Sequence, residues 1–287
     1  MQTIQSLADM TRWSNEVIAS GSTIALVPTM GYFHKGHLSL MRSASHLADR
    51  VVVSLFVNSL QFGPSEDLSQ YPRDLPKDSS MAAAEKVDVL FVPTDEDMYS
   101  HDYNVRVRVD SITDTLCGKQ RPGHFEGVTT VVTKLFNIVK PHVAVFGQKD
   151  FQQLSVIRKM VRDLNWDIEI VGHPVVREED GLAMSSRNIY LSSVEREKAL
   201  CLYEAIQHAK TRFNNGLLDV AQLKFEIRDI ILANSGVNVD YISVVDKDNL
   251  SDKEVIDSNS VLALAVKVGQ TRLIDNCFLG NDTEADN

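Results

Sequence analysis

The sequence predicts an α/β protein, a parallel sheet domain covered by helices and followed by a smaller α+β domain. Three observations carry that prediction. Four short apolar runs alternate with amphipathic stretches before residue 176, the pattern then changes to two longer polar-faced helical stretches, and strand-like runs close the chain.

Residues 3–20 carry Ile4, Leu7, Ala8, Trp13, Val17 and Ile18 at helical spacing and stop at Gly21, so a helix is expected first. TIALV (23–27), VVVSLFV (51–57), VDVLFV (87–92) and VAVF (143–146) are short and continuously apolar, as strands buried on both faces of a parallel sheet are. Helices expected over 38–48, 74–86, 126–139 and 151–164 supply the crossovers between parallel strands, and DIEIVGHPVV (167–176) reads as a further strand. After REEDG (177–181), helices are expected near 192–214 and 219–234, then strands in DYISVVD, SVLALAVKVG and TRLIDNCFL. The domain boundary therefore falls near residue 176, giving units 1–176 and 177–287. The closing GNDTEADN is polar and acidic and is expected to be mobile.

A length of 287 residues suits two such units, and 44% apolar with 24% charged residues is the composition of a folded globular chain. A net charge of −10 opposes non-specific attraction to nucleic acid or an anionic membrane, while leaving room for a small anion held by a few focused cations. The N-terminal MQTIQSLADMTRW lacks a basic region followed by an apolar one, and no window reaches bilayer length, so a cytoplasmic location is expected. Cys117, Cys201 and Cys277 stand in no CxxC or metal-ligand spacing and read as isolated reduced thiols.

In an open parallel sheet, ligands bind beyond the carboxyl ends of the strands. There TIALV is followed by PTMGYFHKGH, VVVSLFV by NSLQF, and VAVF by GQKDFQQ. Gly31 and Gly36 allow close backbone approach to a ligand, and the helix starting near His37 offers free N–H groups and a positive dipole end to a phosphate. His34 and His37 can donate imidazole N–H bonds to phosphate oxygens, and either can be protonated beside an anion. A P-loop is disfavoured, because Lys followed by Ser or Thr is missing after the second glycine. Zinc is disfavoured by the lack of HExxH or a third ligand. Lys149 can neutralise phosphate charge, and Asp150 can orient a ribose hydroxyl, a lysine or hydrated magnesium, or simply cap a helix. Gln61, with Asn58 beside it, and Gln153 offer neutral amides to a small polar substrate. In GLAMSSRN, Ser185, Ser186 and Arg187 can close over a triphosphate, although the serines suit a cap or turn equally well.

HKGH resembles the HxGH element of the nucleotidyltransferase superfamily that includes class I aminoacyl-tRNA synthetases, and MSSR resembles its mobile phosphate-binding counterpart. PTMGYFHKGH, FVNSLQFGPSEDLSQYPR, RPGHFEGV, FGQKDFQQL and DGLAMSSRN, in that order over most of residues 23–190, resemble the pantothenate synthetase family. The resemblance implies a Rossmann-like first domain, a smaller lid-like second domain and a homodimer. It implies ATP-dependent joining of pantoate and β-alanine through pantoyl adenylate, with AMP and pyrophosphate released and magnesium required. It places ATP against Pro28, Met30, Gly31, Tyr32, Phe33, His34, Lys35, Gly36 and His37, against Gly147, Gln148, Lys149 and Asp150, and against Val176, Met184, Ser185, Ser186 and Arg187.

By the same resemblance pantoate meets Gln61, Gln153 and Asn58, with β-alanine also near Gln61. His34, His37 and Lys149 would stabilise the α-phosphoryl charge, and His37 would donate a proton to departing pyrophosphate. The metal ligands stay open among Asp74, Asp78 and Asp150. Departures from the family pattern are Ser59 for the usual proline, which would loosen the Gln61 turn, Gln148 where glutamate is common, and Glu126 in RPGHFEGV. TRLIDN is the clearest family-like element of the last third. Two rivals are a nucleotidylyltransferase that stops at nucleotide transfer, which FVNSLQF and GQKDFQQ disfavour, and a non-catalytic nucleotide sensor, which the intact HKGH, GQKD and MSSR set disfavours.

Overall fold

The computed structural model describes residues 1–64 and 66–280, so all but the first residue of the acidic GNDTEADN tail lies outside the described residues. The chain opens with a strand rather than a helix. Strand β1 (Gln2–Ile4) pairs in parallel with β4 (Val89–Phe91) at the sheet edge, and helix α1 (Leu7–Ala19) starts only after Ser6, whose hydroxyl accepts the Asp9 N–H at 3.1 Å. Ile4 fits the helical spacing by coincidence, and the capping serine decides where the helix begins.

With β2 (Ile24–Thr29), β3 (Arg50–Leu55), β5 (Val143–Gly147) and β6 (Glu169–His173), these strands form a six-stranded sheet of order β1-β4-β3-β2-β5-β6 with every pairing parallel. The strand order reverses between β2 and β5, where a crevice opens at the carboxyl ends of the strands.

The crossover helices are α2 (Lys35–Leu47), α3 (Leu75–Ala84), α6 (His124–Val139) and α7 (Phe151–Asp163). Two short helices, α4 (Asp95–Met98) and α5 (Leu116–Gln120), were not expected, being too brief to show a period. Alternate residues of β2 pack on opposite faces: Ile24 and Leu26 join Met10, Val132 and Leu135 of α1 and α6, while Ala25 and Val27 join Met41 of α2 and Ala82 of α3. Each fully buried large apolar side chain contributes about 1.5–3 kcal/mol. Both faces therefore fasten β2, the strand that carries the HKGH segment.

The second unit holds α8 (Ser193–Ala199), α9 (Cys201–Asn214) and α10 (Val220–Leu232). Its antiparallel sheet, β7-β8-β9, is built from Val237–Asp246, Ser260–Val268 and Thr271–Phe278. The expected helix over 192–214 is divided at Leu200. Leu182, Ala205, Ile227 and Leu264 lie in this unit's own core, whereas Val245, Leu250, Val261 and Ala263 pack into the core of the first unit. Cys117, Cys201 and Cys277 are buried and unbridged. Among the described residues no helix is long and apolar enough to cross a membrane.

Candidate active site

The segments after β2, β3 and β5 meet at one rim, together with residues 173–176 after β6 and the 184–187 loop, around a cavity of about 240 Å³. His34 is the N-cap of α2. Its Nδ1 accepts the Gly36 N–H at 3.2 Å, and the His34 N–H in turn donates to Nδ1 of His37 at 3.3 Å. A ring nitrogen that accepts a backbone N–H carries no proton, so both imidazoles are Nε2–H tautomers. Neither Nε2 has a hydrogen-bond partner among the described residues, and both rings line the cavity, tilted by 32° with centroids 4.0 Å apart.

Burial favours the neutral form of both histidines. Burial first, then the Lys149 ammonium, pushes the His34 pKa down to about 4; burial, His34 and Lys149 hold His37 well below the ordinary value. The two glycines also make room within the protein itself, and Gly36 lines the cavity. A Cβ on Gly36 would stand 2.9 Å from the His34 ring, and one on Gly31, whose φ is +83°, would meet Asp78 at 3.0 Å. They make room for the capping ring and for a carboxylate.

After β3, Asn58 and Gln61 both line the cavity, and Asn58 Nδ2 donates to Gln61 Oε1 at 3.0 Å. The expectation that Ser59 loosens this turn meets a tether instead, because its hydroxyl lies 2.8 and 2.9 Å from the two carboxylate oxygens of Asp95. After β5, Lys149, Asp150 and Gln153 line the cavity. Asp150 stands at the start of α7 but its side chain caps nothing, and it lies 3.7 Å from the Lys149 ammonium. From the second unit, Asn276 Nδ2 donates to the carbonyls of Gln148 at 3.0 Å and Lys149 at 2.9 Å. TRLIDN is thus the strap that fixes the GQKD turn.

Met184 hydrogen-bonds through its N–H to the Val176 carbonyl at 2.9 Å, which brings the MSSR loop onto the end of β6. Ser185 is a cap, its oxygen accepting the Arg187 N–H at 3.3 Å, and Ser186 donates to the Tyr32 carbonyl at 3.3 Å. Arg187 pairs with Asp67 through Nε and Nη2 and lies over the Tyr71 ring, leaving Nη1 without a partner among the described residues.

The comparisons with known proteins decide the family. The sequence matches the family described as pantoate-beta-alanine ligase over residues 2–278. The chain belongs to the pantoate–β-alanine ligase family. It is 54% identical to a pantothenate synthetase of Geobacter sulfurreducens over 98% of this chain and 100% of that one, and 53% identical to one of Heliobacterium modesticaldum over 96% and 98%. A pantothenate synthetase crystal structure from Thermus thermophilus superposes with a TM-score of 0.92 at 41% identity, covering 98% of this chain and 100% of that one. A pantoate-beta-alanine ligase from Francisella tularensis, in complex with beta-gamma ATP and β-alanine, superposes with a TM-score of 0.81 at 34% identity, covering 97% and 98%.

The ligase brings most of its sequence-predicted site residues to one cavity: Pro28, Met30, His34, Gly36, His37, Asn58, Gln61, Gly147, Lys149, Asp150, Gln153, Val176, Met184, Ser185, Ser186 and Arg187 all line it. Gly31, Tyr32, Phe33, Lys35 and Gln148 do not. The N–H groups of Tyr32 and Phe33 donate to the Asp78 carboxylate at 2.6 Å each, Lys35 is exposed, and Gln148 is buried.

RPGHFEGV carries no motif that assigns it a role, yet Arg121 and His124 both line the cavity of this ligase. Arg121 pairs with Glu66 at 2.7 and 2.6 Å and donates through Nη1 to His124 Nε2 at 3.0 Å. An arginine only donates, so His124 carries its proton on Nδ1 and gives it to the Gln61 carbonyl at 2.9 Å. Burial, and then Arg121, push the His124 pKa down to about 4. Glu66 and Asp67 had no signal beyond lying in a polar loop.

Proposed function

We infer that this ligase joins pantoate to β-alanine through pantoyl adenylate, releasing AMP and pyrophosphate. The observation that carries the reading is that the neutral His34–His37 pair with Lys149, which suits a nucleotide phosphate, shares one cavity with the Gln61 and Gln153 amides, which suit a small polar acid. The Francisella tularensis relative in complex with beta-gamma ATP and β-alanine supports the same pair of ligands.

A carboxylate is a poor acylating agent because its leaving group would be oxide. Attack of the pantoate carboxylate on the α-phosphorus of ATP expels pyrophosphate and creates a mixed anhydride whose leaving group is AMP. The Nε2–H groups of His34 and His37 and the Lys149 ammonium neutralise charge on the α-phosphoryl oxygens, with positioning and preorganised donors supplying the catalysis. The neutral His37 gives departing pyrophosphate a hydrogen bond from Nε2–H rather than the proton itself, and pyrophosphate leaves as the anion. Ser185, which keeps a free hydroxyl proton, and the Nη1 edge of Arg187 hold the distal phosphates. Gln61, Gln153 and Asn58 hold pantoate, and β-alanine attacks the acyl carbon as the neutral amine.

Magnesium, when bound with ATP, supplies further neutralisation of the phosphates. Asp150 is the carboxylate that fits it, half exposed at the cavity, since Asp78 accepts two amide N–H groups and Asp74 caps α3. No group of three metal-ligating side chains stands among the described residues, and magnesium carried by phosphate oxygens and one carboxylate needs none. The second unit, from residue 177, is taken to act as the lid that protects the adenylate from water, in a cytoplasmic homodimer.

The test follows AMP and pyrophosphate made from ATP and magnesium with pantoate, with and without β-alanine. Sustained AMP formation that needs both acids, with pantothenate in equal amount, is the expected result. Pyrophosphate release with no amine dependence and no amide product would point to nucleotide transfer alone.

A further inference from the structure

Gln61 sits on a single 3₁₀ turn, Ser59–Gln61, whose own hydrogen bonds are long: Gln61 N–H to Asn58 O at 3.4 Å and Phe62 N–H to Ser59 O at 3.3 Å. Such a turn does not hold a side chain in one place by itself. It is gripped from outside by both ends of α4. At the first residue of that helix, the Asp95 carboxylate receives the Ser59 hydroxyl, and one residue beyond its last, the Tyr99 hydroxyl donates to Asn58 Oδ1 at 2.7 Å. The turn also lies directly on α6, where a Cβ at Gly127 would come within 2.5 Å of the Leu60 carbonyl carbon.

The orientation of each amide follows from its partners. The Gly127 carbonyl only accepts, so the Asn58 atom 3.1 Å from it is Nδ2. Oδ1 then faces Tyr99, which must be the donor. The other Nδ2 hydrogen goes to Gln61 Oε1, which turns the Gln61 NH₂ outward against the thioether sulfur of Met30 at 3.2 Å. A thioether is a weak acceptor that a substrate oxygen readily replaces. Burial raises the Tyr99 phenol above its ordinary pKa, so it stays a donor at any working pH.

We propose that Tyr99 and Asp95 are positioning residues for the acid substrate, fixing the Asn58–Gln61 pair so that Gln61 presents its NH₂ to a carboxylate or hydroxyl oxygen. This rests on Gln61 as a pantoate contact. The bare structural role of Tyr99 is its ring packing against Phe56 and Tyr103, with centroids at 6.1 and 5.1 Å, and Tyr99→Phe preserves that packing while removing the hydroxyl.

The experiment measures kcat and separate KM values for pantoate and ATP in Tyr99→Phe, Ser59→Ala, Gln61→Ala and the Tyr99→Phe/Gln61→Ala double variant. Losing one buried hydrogen bond in the relay is expected to raise the pantoate KM of Tyr99→Phe about five- to tenfold and of Ser59→Ala about two- to threefold, with the ATP KM unchanged within about twofold. In the Gln61→Ala background, Tyr99→Phe should raise the pantoate KM by a smaller factor than in the wild type, the remainder passing through Asn58 alone. If Gln61→Ala raises the pantoate KM while Tyr99→Phe is inert, or acts equally in both backgrounds, the positioning role is overturned and the site reading stands. If Gln61→Ala itself leaves the pantoate KM unchanged, the reading of Gln61 falls and the inference with it.

Discussion

Arg187 and Asp67 are joined by two parallel hydrogen bonds, Nε to Oδ2 at 2.9 Å and Nη2 to Oδ1 at 2.8 Å. The pair fixes one edge of the guanidinium and leaves Nη1 unpartnered among the described residues, the edge proposed above for the distal phosphates. A lysine cannot hold Asp67 bidentately and reach a phosphate at once. Arg187→Lys is therefore expected to raise the ATP KM at least about tenfold with the pantoate KM little changed, in steady-state kinetics. Equal ATP KM values would show that the pair only closes the loop.

His37 contributes a neutral Nε2–H donor whose tautomer is set by the His34 backbone N–H. Removing one preorganised donor to a developing charge costs on the order of a hundredfold in turnover. His37→Ala should lose about that much kcat while keeping the wild-type circular dichroism spectrum. Near-full activity would refute the role.

The buried histidines also set a pH dependence of stability. His34 and His124 are held at about 4, and His37 is also held well below its ordinary value, against an ordinary 6.5 in the unfolded chain. Above 6.5 neither state binds the proton and there is no effect. Between that value and about 4 the unfolded chain binds protons that the folded chain refuses, so stability falls as pH falls, by about 1.4 kcal/mol per pH unit per group. Melting temperatures should drop steadily from about pH 7 to about pH 5, with a shallower slope in His124→Gln. A flat profile would contradict neutral buried imidazoles.

Asn276 ties the second unit to the GQKD turn through the carbonyls of Gln148 and Lys149. Asn276→Ala leaves both acceptors without that donor, at a cost of roughly 1–3 kcal/mol. It should lower both the melting temperature and kcat, the latter because the backbone carrying Lys149 loosens. A stability loss with kcat intact would confine Asn276 to holding the two units together.

The fold was legible because its signals are strong ones: β2, β3 and β5 are continuously apolar, and the helices between them are long enough to show a period. Strand β1, three residues on an edge, and the short helices α4 and α5 carry no such pattern. At the site, residues that follow a strand in the same polar segment, such as His34, Asn58 and Lys149, could be read from position, and Ser185 from the MSSR motif. The tautomers could not, since they depend on which backbone N–H each ring accepts. Nor could Asp67, Glu66, Asn276 and Tyr99, which reach the site across 120, 55, 127 and 41 positions respectively and owe their roles to folding alone.

The most direct test of the chemistry uses pantoate labelled with ¹⁸O in both carboxylate oxygens, with ATP, magnesium and β-alanine, and analyses the products by mass spectrometry. Attack on the α-phosphorus followed by amide formation predicts one ¹⁸O in the phosphate of AMP and the other in the pantothenate amide carbonyl. Unlabelled AMP, or label appearing in inorganic phosphate alongside ADP, would contradict activation through an acyl adenylate.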